Sequence, residues 1–138
     1  MRVKALGILL CLSVFSMAAS ALAEHEIYYR YTVLGYVEDG AGKPRPGAEV
    51  RLIREKTGLA YGAISDAAGL YVVVARLGDE SAGERLSLHL DRQDVAITAR
   101  FDPADHGRER GTRVDFVRGR PVERPAEFHA TLRRVLAE

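Results

Sequence analysis

The sequence predicts an all-β fold, an antiparallel sandwich or barrel of seven or eight short strands. Short runs of alternating apolar and polar residues recur from Ile27 onward. Clusters of Gly, Pro and Asp separate them, as turn residues separate strands. Beyond the first two dozen residues no segment sustains a helical period, so no helices are expected to cover a parallel sheet.

The chain opens as an export leader. Arg2 and Lys4 make a basic start, Ala5 to Phe15 an apolar run, and Ala21-Leu22-Ala23 an A-x-A cleavage site before polar Glu24-His25-Glu26. The apolar run is shorter than the roughly 20 residues of a spanning helix. Cys11 lies too early in that run, behind Leu9-Leu10, to be a lipid-anchored cysteine. The expected organisation is a signal helix over residues 1–23 and one domain over 24–138, working in the periplasm or outside the cell. The membrane is then met only during export.

Cleavage after Ala23 leaves 115 of the 138 residues and removes the only cysteine, so no disulfide is expected. A domain of this size can fold on packing alone. The leader takes two of the 20 basic residues and none of the 19 acidic ones, which turns a net charge of +1 into −1. A near-neutral chain has no global pull toward nucleic acid, and none is expected as a partner.

The first strand runs from Ile27 to Glu38. Ile27, Tyr29, Tyr31, Val33, Gly35 and Val37 share one face, and Tyr28, Arg30, Thr32, Leu34, Tyr36 and Glu38 the other. Asp39 to Lys43 is a turn, with Pro44 and Pro46 stiffening its exit. Ala48, Val50 and Leu52 mark a second strand, and Leu59 to Ser65 a third. Asp66-Ala67-Ala68-Gly69 is a tight turn. Leu70 to Leu77 is apolar on both faces and reads as a central strand. Gly78 to Glu84 is a polar loop. Leu86–Leu90 and Val95–Phe101 alternate as the fifth and sixth strands, and Asp102–Gly111 is the longest polar loop. Val114 and Phe116 mark a seventh strand, and Phe128, Ala130 and Leu132 an eighth.

Three stretches carry a resemblance. Gly35-Tyr36-Val37-Glu38-Asp39-Gly40-Ala41-Gly42-Lys43-Pro44 resembles the G-x-V-x-D-x-x-G-x-P opening of carboxypeptidase regulatory-like domains. Pro46-Gly47-Ala48-Glu49-Val50-Arg51-Leu52 is similar to their P-G-A-x-V-x-L strand. Ser65-Asp66-Ala67-Ala68-Gly69-Leu70-Tyr71 is similar to their T-D-x-x-G-x-Y turn, with Ser for Thr. The resemblance covers about a third of the chain after the leader and implies a transthyretin-like, Ig-like Greek-key β-sandwich. Its motif residues have turn and core roles, so it implies no catalytic residue. The strand Glu84–Leu90 departs from the family's aromatic closing strand, and the C-terminal segment over 94–134 diverges.

Similar folds host enzymes, so the residues must decide. The hydroxyisourate hydrolase branch ends in Y-R-G-S, whereas this chain ends Arg133-Arg134-Val135-Leu136-Ala137-Glu138. No H-E-x-x-H pair marks a zinc peptidase, and no G-x-S-x-G surrounds a serine. No catalytic residue and no cofactor are expected.

The binding candidates are of three kinds. His89, Asp102, Asp105 and His106 offer oxygen and imidazole donors for a divalent cation, although the spacing fits no standard motif and a solvated loop explains them equally. Arg108, Arg110 and Arg113 open an arginine-rich stretch able to meet an anionic partner, or to guard an edge strand. Tyr28 and Tyr36 are outward aromatics suited to a sugar ring or a protein, unless further structure covers them. The expected function is an exported, non-catalytic binding module with a protein or carbohydrate partner in the cell envelope. The alternatives are a small metal- or ligand-binding protein using the 102–106 loop, and a structural accessory subunit of an envelope assembly.

Overall fold

Alternation of large apolar residues puts one face of most strands inward. The computed structural model describes residues 27–138, so the leader and its cleavage site lie outside the described residues. Eight strands form in chain order: β1 (Tyr29–Tyr36), β2 (Glu49–Arg54), β3 (Ala60–Ile64), β4 (Leu70–Leu77), β5 (Arg85–Leu90), β6 (Gln93–Thr98), β7 (Arg110–Val117) and β8 (Arg120–Glu123). Among the described residues a single α-helix, α1 (Phe128–Ala137), follows. The strands make two four-stranded sheets, ordered β4-β1-β7-β8 and β3-β2-β5-β6. Their inner faces enclose one core, in which Tyr31, Val33, Val50, Leu52, Tyr71, Leu86, Leu88 and Phe116 are buried. Each such side chain contributes about 1.5–3 kcal/mol by leaving water.

The turns follow from side-chain chemistry. Asp39 Oδ1 accepts the Ala41 and Lys43 N–H groups, and Asp66 Oδ1 accepts those of Ala68 and Leu70. Gly69 takes φ +79°, and a Cβ there would lie 2.5 Å from the Val37 carbonyl oxygen. The Ser65 hydroxyl donates to the Arg45 carbonyl and accepts the Ala48 N–H, which ties two of the motif stretches together.

Three expectations are corrected. The eighth strand expected at Phe128–Leu132 is α1. Its buried residues Phe128, Thr131 and Leu132 fall at helical spacing, whereas Ala130, counted as part of an alternation, is exposed. The true eighth strand, β8, has no buried residue, so no apolar alternation announces it. Second, β4 is an edge strand. Tyr71, Val73, Ala75 and Leu77 face the core, while Val72 packs under α1 and Val74 is partly exposed. Third, the sheets are not wholly antiparallel, because β1 and β7 pair in parallel from Tyr31↔Arg110 to Leu34↔Arg113. β1 and β7 are therefore the interior strands of that sheet, with Leu34 buried on the outer face of β1 against Phe128 and Leu132. Among the described residues no helix is long and apolar enough to cross a membrane.

One ion pair ties the end of β2 to the start of β5 within a single sheet. Arg54 Nε donates to Glu84 Oε1 at 2.8 Å and Nη2 to Oε2 at 2.9 Å, with both side chains nearly buried. The Arg54 hydrogen bond, above all, holds the Glu84 carboxyl below its ordinary range, outweighing burial. A carboxyl depressed in the folded state adds stability above its unfolded pKa, and that stability is lost as pH falls through the folded value. Glu84→Gln is therefore expected to cost about 2 kcal/mol near neutrality, with a smaller difference from the native chain in strong acid. Urea melts at neutral and acid pH check both halves.

Candidate functional site

The β6–β7 segment is a loop that its own aspartates shape. Asp102 Oδ1 accepts the Ala104 N–H at 2.9 Å, and Asp105 Oδ1 accepts those of Gly107 and Arg108 at 3.0 and 3.1 Å. Arg110, the first residue of β7, anchors the loop from beneath. Its guanidinium lies between the rings of Tyr29 and Phe101, 4.8 and 4.2 Å from their centroids. Its Nη2 donates to Asp79 Oδ1 at 3.0 Å and lies within 3.5 Å of the Asp102, Pro103 and Asp105 carbonyl oxygens. The Arg110 side chain is only 5% exposed, and its Nη1 is buried with no hydrogen-bond partner.

His106 closes the outer side. Its Nε2 lies 2.8 Å from Asp79 Oδ2, its Nδ1 lies 3.2 Å from the Tyr29 hydroxyl, and its ring stacks on Tyr29 with centroids 4.4 Å apart. Burial raises the Asp79 carboxyl's pKa, but hydrogen bonds from His106 and Arg110 outweigh that and leave it below the ordinary value. Asp79 thus joins the β4–β5 connection to the β6–β7 loop.

On the other side, α1 supplies a wall. His129 Nε2 lies 2.9 Å from the Glu109 carbonyl oxygen. Arg108 Nε donates toward the same Nε2 at 3.2 Å, and Arg108 Nη2 lies 3.5 Å from Nδ1. The ring's tautomer sets which of these neighbours Nε2 bonds. Arg108 is thus held against His129 through Nε, which leaves its Nη1 for another partner.

Between loop and helix lies a cavity of about 300 Å³ whose lining includes Arg100, Phe101, Arg108, Arg110, Gly111 and His129. Two smaller hollows adjoin it across Arg108, of about 130 and 250 Å³. Asp102, Asp105 and Glu109 also line the main cavity, so the wall is mixed in charge. Glu109 is engaged by Arg30 at 3.0 Å. Among the described residues no carboxylate forms an ion pair with Arg100 or Arg108.

The expected site residues divide. Arg108 and Arg110 come together in this cleft. Arg113 does not, because its guanidinium grips Asp115 and reaches Thr131 Oγ1 at 3.0 Å and Glu127 at 3.1 Å, a structural clasp between β7 and α1. β7 itself runs between β1 and β8, so the edge of that sheet is β8, which carries Arg120 of the arginine-rich stretch. Tyr36 is half covered, with Arg113 5.3 Å above its ring and Arg134 donating to its hydroxyl at 3.3 Å. Tyr28 is 45% exposed at the start of the described residues.

The four metal candidates are not brought together. His89 stands on β5 beside the β5–β6 turn and pairs with Asp94, whereas the loop leaves β6 at the other end, by Arg85. Asp102 and Asp105 spend an oxygen each on backbone N–H groups, and His106 is held by Asp79 and Tyr29. Among the described residues no three His, Cys, Asp or Glu side chains are grouped to hold a metal ion. His106-Gly107-Arg108-Glu109 does contain an H-x-x-E spacing, but its ends diverge, His106 toward Asp79 and Glu109 toward Arg30.

Sequence reasoning missed Arg100, Tyr29, Phe101, Asp79 and His129, the last half-buried in α1 where a strand was expected. Only the helical spacing of Phe128, Thr131 and Leu132 offered a signal for the last of these. No protein-family model matches this chain, and a search of curated proteins finds no match.

Proposed function

We propose that the protein is an exported, non-catalytic binding module of the cell envelope, related to the carboxypeptidase regulatory-like, transthyretin-like sandwiches, with the arginine-rich cleft as its binding face. The observation that carries the reading is the cavity shared by Arg100, Arg108 and Arg110, two of them without an acidic ion-pair partner among the described residues. Arginine left in that state on a shaped wall is suited to a carboxylate-bearing or otherwise anionic partner. The family relation is supported by the two four-stranded sheets and by the turn roles of Asp39, Ser65, Asp66 and Gly69. Export is supported by the leader pattern in residues 1–23.

The test is binding to arrays of envelope glycans and peptides, native chain against Arg108→Gln. Retention on specific members, weakened about tenfold or more in the variant, is the expected result. Retention unchanged in Arg108→Gln and in Arg100→Gln contradicts the cleft as binding face. Turnover of a retained member by the native chain contradicts the non-catalytic reading.

A further inference from the structure

Resting on that reading of the cleft, its ligand chemistry can be narrowed. Arg110 Nη1 is a cationic donor with no partner, in a side chain more than nine-tenths buried that lines the cavity. A buried donor left unsatisfied costs roughly 1–3 kcal/mol, and more when it is charged. Its Nη2 is committed to Asp79 and the loop carbonyls, and its faces to Tyr29 and Phe101. The arginine is thus fixed in place with its buried Nη1 spare. Arg108, held against His129 through Nε, lines the same cavity and forms no ion pair with an acid among the described residues.

We propose that the cleft is a site for a single carboxylate, taken between Arg110 Nη1 and the Arg108 guanidinium, on a small monoanionic ligand. Two planar guanidinium groups suit a planar carboxylate, which accepts two parallel N–H bonds from such a fork. Asp102, Asp105 and Glu109 on the same wall repel a multiply charged group, which sets a carboxylate ahead of a phosphate dianion. The cavity, about 300 Å³, matches a ligand of sugar or amino-acid size.

The carboxylate can belong to an acidic sugar or to a peptide-like acid, and paired probes separate the two. Galacturonate is titrated against galactose, and N-acetyl-alanine against its amide, with inorganic phosphate as a third anion. Binding is followed by amide chemical shifts of the native chain and of Arg108→Gln, a variant that removes no core contact. At least one carboxylate is expected to produce saturable shifts at Arg108, Arg110, Gly111 and His129. Its neutral counterpart should produce none, and Arg108→Gln should weaken the effect about tenfold or more. Neutral probes binding as well as the acids, phosphate binding more tightly than either, an unchanged Arg108→Gln, or no saturable shift at millimolar probe would each overturn the proposal. Arrays that show Arg108-dependent retention while every carboxylate probe fails would remove the carboxylate site and leave the binding module standing.

Discussion

Gly35→Ala lowers stability by about 3 kcal/mol, a large part of what a domain of this size possesses. The cause is the parallel pairing of β1 with β7. A Cβ at position 35 would stand 1.8 Å from the Val114 carbonyl oxygen and 2.6 Å from its carbon. That obstacle is backbone, so no rotamer change relieves it. Val114 cannot retreat freely either, because its carbonyl accepts the Tyr71 hydroxyl at 2.6 Å inside the core. The next residue along, Tyr36, donates its N–H to Asp115 at 3.0 Å, so a displaced β1 loses that bond as well. Urea denaturation measures the cost. Gly40→Ala is the control, since a Cβ there meets nothing within 4 Å, and it should change stability by a few tenths of a kcal/mol. If the two substitutions cost the same, the close approach of β1 to β7 is wrong.

Asp115→Ala costs about 3–5 kcal/mol, the range for removing one member of a buried ion pair. The Asp115 side chain is 6% exposed and accepts from Arg113 Nε and Nη2 and from the Tyr36 N–H, with Arg124 Nε 3.6 Å away. Its loss strands the Arg113 guanidinium, itself 14% exposed, over the Tyr36 ring. Arg113 also holds Thr131 and Glu127, so α1 loosens with it. Replacing both partners, Asp115→Ala with Arg113→Met, should cost less than Asp115→Ala alone, because no charge is then left buried without a counter-ion. A fully additive double variant would show that the pair acts independently. Amide exchange along Phe128–Ala137 reports whether the helix is what loosens.

The strands that alternate cleanly were legible in the sequence, as β2 and β5 show with Val50, Leu52, Leu86, Leu88 and Leu90 inward. So were the Asp39 and Asp66 turns, because their side chains accept local N–H groups irrespective of the rest of the chain. β4 misled because its outer face is apolar for a different reason, Val72 lying under a helix rather than a second sheet. That helix was itself concealed, since Phe128, Ala130 and Leu132 satisfy a two-residue period as well as Phe128, Thr131 and Leu132 satisfy a helical one. β8, exposed throughout, carries no apolar signal at all.

The site was half legible. The density of arginine over residues 108–124 marks the region, but not which arginine is free. Arg108 and Arg110 line the cleft, while Arg113 is consumed by an aspartate two residues on. Composition cannot separate these roles, because each depends on which strand lies alongside. Arg100 and His129 reach the same cavity from β6's end and from α1, nearly thirty residues apart in sequence, and only the fold brings them together. The metal candidates failed for the same reason, since His89 shares a polar pattern with the loop aspartates but stands at the far end of the β5–β6 pair.

Thermal melts of the native chain and of Arg108→Gln, each with and without galacturonate or N-acetyl-alanine, test the cleft most directly. A ligand that binds only the folded state raises the melting temperature in proportion to its occupancy. Without ligand the two proteins should melt together, because Arg108 is exposed and forms no ion pair with an acid among the described residues. With ligand, the native chain should melt higher and Arg108→Gln should not. A variant that melts well below the native chain without ligand, or that gains as much from the carboxylates, would contradict the assignment of Arg108 to binding.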